Sequence, residues 1–73
     1  MSKNVHIVPH DNGWAVRIAG NDRASSVHRT QREATESGRE RARRDGVEIL
    51  IHGEDGRIRD RDSYGHDPFP PKG

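Results

Sequence analysis

The sequence predicts an α+β domain, with one small sheet in ββ(β)αββ order and a single helix packed across one face. Three observations carry this. Thr30 stands three residues before Glu33, the spacing of a capping box, which fixes where the helix begins. Gly46 supplies a residue suited to the left-handed position that stops it. On either side of that segment, apolar residues recur with the period of two that marks strands.

Val5-His6-Ile7-Val8 is a β-branched run closed by Pro9, and His10-Asp11-Asn12-Gly13 gathers turn formers. Trp14-Ala15-Val16-Arg17-Ile18 then alternates, with Trp14, Val16 and Ile18 on one side. Two such runs across a turn read as a hairpin. Gly20-Asn21-Asp22 marks a second turn, and residues 24–28 form a weaker third strand whose one large apolar residue is Val27. The helix is expected over residues 31–45. Its inner stripe is Ala34, Gly38 and Ala42, at i, i+4 and i+8, with no large aliphatic residue among them. A stripe this small lets the helix lie close on the sheet. Gly38 costs the helix about 1 kcal/mol relative to Ala, which points to close contact there. Glu40 with Arg44, and Glu36 with Arg39, are the expected surface pairs, each adding about 0.2–0.5 kcal/mol.

Residues 47–52 are the most apolar strand, with apolar residues on both faces. Asp55-Gly56 reads as a type I′ hairpin turn, and residues 57–60 as the returning strand with Ile58 turned inward. The expected core is Val5, Ile7, Trp14, Val16, Ile18, Val27, Ala34, Gly38, Ala42, Val47, Ile49, Ile51 and Ile58. Val8 and Leu50 fall on the sheet face that the helix leaves open.

Seventy-three residues allow one domain. It is expected over residues 1–68, with 69–73 as a mobile Pro-rich tail that lacks periodicity. The hydrophobic share is 27% against 34% charged, and the mean hydropathy is −1.17. A net charge of only +1 nevertheless argues for a folded chain with a thin core, since disorder combines low hydrophobicity with strong net charge. There is no cysteine, hence no disulfide framework. No apolar run approaches the roughly 20 residues of a membrane span, and the start of the chain lacks the apolar core of a signal peptide. A cytoplasmic location without membrane association is the expectation.

The residue patterns that carry chemistry are sparse. His6, His10, His28, His52 and His66 show none of the local spacings of a zinc site, although His6 and His52 share the open face near Leu50. Glu54-Asp55-Gly56 with Asp60, Asp62 and Asp67 lacks the alternating ligands and closing glutamate of a calcium loop. The serines stand in no nucleophile elbow, and there is no Gly-rich phosphate loop. A non-enzymatic protein without metal or cofactor is expected. For nucleic acid, six arginines from Arg29 to Arg44 meet four acidic residues through Asp45, a net of only +2. The pI is about 8.3, below the range above 9 typical of a strongly basic binding domain.

Taken together, the residues resemble a known bacterial family. The pattern runs Val8-Pro9, Gly13-Trp14-x-Val16, Thr30-x-x-x-Ala34, Gly38-x-x-x-Ala42, Glu48-x-x-Ile51-His52-x-x-x-Gly56-x-Ile58 and Ser63-Tyr64-Gly65-x-Asp67-Pro68. It is similar to the domain-of-unknown-function family twenty-one eighty-eight over Val5 to Pro68. The resemblance implies a ββαββ-type fold in a bacterial or phage protein and brings no catalytic residues.

The expected function is that of a module binding an unidentified protein partner, or a second copy, through the open face where Leu50 lies. The runner-up is a weak nucleic-acid binder using Arg32, Arg39 and Arg43. A third reading places a metal at His6 and His52. Tyr64 and Asp67 belong either to a recognition loop or to a clamp that fastens the end of the chain.

Overall fold

The helix begins where the capping box places it. In the computed structural model, which describes residues 3–21 and 24–64, the helix α1 spans Gln31–Asp45. Thr30 is the N-cap, its hydroxyl accepting from the Glu33 N–H at 3.1 Å. Among the described residues no return bond from the Glu33 carboxylate to the Thr30 N–H accompanies it, so one half of the box forms. Gly46 ends the helix at φ 69°, ψ 42°, its N–H turned back to the Ala42 carbonyl. That left-handed conformation is one that a residue with a Cβ adopts only at a penalty.

The strands are β1 (Val5–His10), β2 (Gly13–Ile18), β3 (Ala24–His28), β4 (Glu48–His52) and β5 (Ile58–Ser63). The weak third strand is a full strand, so the order is βββαββ. The five strands form one mixed sheet in the spatial order β3-β2-β1-β4-β5. Only β1 and β4 run parallel; the other neighbours are antiparallel. α1 lies across β1, β2, β3 and β4 on one face.

The core forms between α1 and that face. Val5, Ile7, Val16, Ile18, Ala34, Ala42, Val47, Ile49 and Ile51 make one buried cluster, with Trp14 and Tyr64 half-buried against it. The small-residue stripe does what its composition requires. A Cβ placed on Gly38 would stand 2.6 Å from Ile7 Cδ1, 3.0 Å from Ile49 Cδ1 and 3.3 Å from Val5 Cγ1. The strands therefore supply the bulk, and the helix supplies closeness.

Two expected core residues lie elsewhere. Val27 pairs with Ala15 and Ile58 with His52, and both side chains are on the open face, 55% and 52% exposed. The cause at Ile58 is the loop. Only Gly56 has positive φ there, at 86°, whereas a type I′ turn requires it at both central residues. The Gly56 N–H instead bonds to the Gly53 carbonyl and the Gly53 N–H to the Arg57 carbonyl, giving a three-residue loop, Glu54-Asp55-Gly56. One extra loop residue moves Ile58 from opposite Gly53 to opposite His52 and so to the other face. A bulge at Arg59 then restores the phase, with Asp60 opposite Ile51. For Val27 the polar neighbours Ser25 and Ser26 left the strand's phase unmarked.

The helix surface also pairs differently from expectation. Arg32 meets Glu36, Arg41 meets Asp45, and Arg39 reaches across to Asp62 on β5 at 3.0 Å. Asp62 shares the helix-side face of β5, which brings it within reach of a residue the local spacing had assigned to Glu36.

Candidate functional site

The register places the open face in two rows. The first crosses all five strands: Val27, Ala15, Val8, His52 and Ile58. The second holds Arg17, His6, Leu50 and Arg61 on β2, β1, β4 and β5. Ala15 is fully buried between its taller neighbours, and Leu50 is 8% exposed between His6 and Arg61. Sequence periodicity placed Leu50 on this face correctly. The apolar surface that reaches solvent, however, belongs mainly to Val27 and Ile58.

His6 and His52 meet where the two rows join. Their rings lie 5.3 Å apart, centroid to centroid, and tilted by 31°. His52 Nδ1 stands 3.2 Å from the Gly56 carbonyl oxygen. A carbonyl only accepts, so the His52 proton belongs on Nδ1 and its Nε2 carries a lone pair. That lone pair accepts from His6 Nδ1–H, at 3.1 Å. The loop that turned Ile58 outward thus also orients the histidine pair. Burial, with the nearby His52 and Arg17, holds the His6 imidazole below its ordinary pKa, so the neutral ring is favoured.

The three helix arginines do not gather into one patch. Arg32 is tied to Glu36 and Arg39 to Asp62, and Arg43 lies 5.6 Å over the Tyr64 ring. Tyr64 packs against the core, and its N–H bonds to the Val47 carbonyl at 3.1 Å. Asp67, His66 and the tail at 69–73 lie outside the described residues.

The geometry sits within a defined lineage. Residues 5–64 match the family described as "Uncharacterized protein conserved in bacteria (DUF2188)". The chain belongs to this family. It is 38% identical over 58 residues to the "Uncharacterized protein YdaT" of Bacillus subtilis (strain 168), an alignment covering 80% of this chain and 39% of that relative. This chain therefore spans well under half the length of the relative it matches. No solved structure matches. Among the described residues no helix is long and apolar enough to cross a membrane.

Proposed function

We propose that the chain is a non-enzymatic module that takes a protein partner, in the first instance a second copy of itself, on the open sheet face. One observation carries this reading. Val27 and Ile58, about half exposed, stand at the two ends of a row that Ala15, Val8 and His52 complete across the uncovered side of the sheet. Five strands at about 4.8 Å spacing make that row about 19 Å long. Each large aliphatic side chain removed from water contributes about 1.5–3 kcal/mol to association. A homodimer needs a self-complementary patch. Here the arginines of the second row stand to one side of the apolar row, so a two-fold axis running through the apolar row keeps the like charges of two copies apart.

Nucleic-acid binding through Arg32, Arg39 and Arg43 stands second, because Glu36, Asp62 and the Tyr64 ring already engage these side chains. Sedimentation equilibrium over a concentration series tests the choice. The expected result is a mass that rises with concentration and stays monomeric in a Val27→Glu, Ile58→Glu double variant whose circular dichroism is unchanged. A chain that remains monomeric, and whose amide spectrum responds to duplex DNA or RNA only at low salt, would transfer the proposal to the helix arginines.

A further inference from the structure

The β1–β2 hairpin turns on two residues, Asp11 and Asn12, and the pair that closes it is His10 with Gly13. Asn12 is exposed, and its side chain makes no hydrogen bond among the described residues. The residue after it has to be glycine. β3 passes so close that a Cβ at position 13 would stand 2.3 Å from the His28 carbonyl oxygen. The fold therefore sets an exposed asparagine, a chemically labile residue, directly before a backbone nitrogen that no side chain of its own residue screens. We propose that Asn12 is a site of spontaneous self-modification, in which its side chain closes onto the Gly13 nitrogen and reopens as isoaspartate or aspartate.

The chemistry uses only the chain and water. The Gly13 nitrogen gives its proton to hydroxide and attacks Asn12 Cγ, forming the new N–Cγ bond of a five-membered imide. The Cγ–Nδ2 bond breaks, and Nδ2 takes a proton from water and leaves as ammonia. Water then adds to one of the two imide carbonyls. Opening at Cγ restores the original peptide bond and leaves an aspartate side chain. Opening at the backbone carbonyl leaves the chain running through Cγ, as isoaspartate. Either product carries a carboxylate where Asn12 was neutral, beside Asp11 in the hollow that His10, His28 and Arg29 also line. Isoaspartate in addition inserts one atom into the backbone of a two-residue loop, whose length sets the register of the strands it joins.

The comparable positions are held. Asn4 Oδ1 accepts from the Glu48 N–H at 3.2 Å, and the β-branched Val5 crowds the nitrogen beyond it. Asn21 precedes an aspartate rather than a glycine. Asp55-Gly56 has the glycine, but the Gly56 N–H is bonded to the Gly53 carbonyl and the Asp55 carboxylate accepts from the Arg57 N–H. The restraint at Asn12 is the closing pair itself, the last rung of the β1–β2 ladder, and the ends of elements open at the least cost in free energy. Nothing in this depends on what covers the open face.

The test incubates the full chain at physiological temperature and mildly alkaline pH, folded and in urea, and follows it by peptide mapping. Expected is a gain of one mass unit confined to the peptide that holds Asn12, and of three units in heavy-oxygen water. Electron-transfer fragmentation should show isoaspartate as the larger product, and the rate should rise with pH. Asn12→Gln should remove the gain and leave the circular dichroism unchanged. A folded chain still intact at Asn12 when the unfolded chain has fully converted overturns the proposal, because the hairpin then protects the site. Conversion at Asn4 or Asn21 ahead of Asn12 overturns it as well. So does aspartate formed without isoaspartate, the mark of direct hydrolysis with no imide.

Discussion

The two faces of this sheet draw alternate residues from the same five strands, yet one is a core and the other is a surface. On the helix side, Val5, Ile7, Val16, Ile18, Ile49 and Ile51 meet a helix stripe of Ala34, Gly38 and Ala42. On the open side, Val8, Ala15, Leu50, Val27 and Ile58 are interleaved with Arg17, Arg61, His6 and His52. The difference is one of complement. The first face has a partner whose small side chains match its large ones, and the second has apolar residues in line but nothing in the chain's described part to cover them.

Adjacent residues of β4 give the sharpest way to break that contrast. Ile49 is fully buried on the helix side, and Ile49→Ala should cost about 2–5 kcal/mol in urea denaturation, enough to unfold a domain this small. Leu50→Ala, on the other side, should cost clearly less. Equal losses would mean that the open face is a second core. Gly38→Ala comes next. It gains about 1 kcal/mol of helix propensity but forces Ile7, Ile49 and Val5 aside, an overpacking penalty of about 1–3 kcal/mol. A net loss of about 1 kcal/mol is expected, and a stabilised variant would show the helix–sheet gap to be looser than its distances.

On the open side, His6 gives the fold a response to acid. His6 binds its proton less readily folded than unfolded, so in the window between its lowered pKa and the ordinary value of 6.5 the unfolded chain holds more protons. His6 thus favours the fold fully above about pH 6.5, and the contribution is lost as the pH falls through the lowered value. His6→Asn should flatten the acid limb of a stability–pH curve, and an unchanged limb would remove His6 as its source. The smallest effects belong to the exposed positions. Asp62→Asn breaks the exposed pair with Arg39 and should change stability by less than about 1 kcal/mol. Val27→Thr should stay within about 0.5 kcal/mol, while weakening association if the open face is where copies meet.

Much of the helix side was legible in the sequence because its signals are local. A threonine three residues before a glutamate, a glycine after the last turn, and a stripe of small residues each have a short-range physical cause. The open side depended on details that spacing does not encode. Asp55-Gly56 suits a two-residue turn, but the chain uses Glu54 as well, and this one residue decides the face of Ile58. The partner of Arg39 comes from the far end of the chain, at Asp62. His6 and His52 could be assigned to one face from alternation, whereas their contact required the parallel register of β1 and β4, which places His52 beside Val8 and within reach of His6.

β5 is the outermost strand on one side, and its run Arg59-Asp60-Arg61-Asp62 alternates in charge with no apolar residue. An unpaired strand edge is a template for runaway stacking, and close-set charges are a common protection against it. At the opposite margin, β3 carries a register break, Ser26 pairing with Val16 and Ala24 with Arg17, and such kinks make a margin hard to extend. With both margins guarded, edge-to-edge growth of the sheet into a fibre is discouraged.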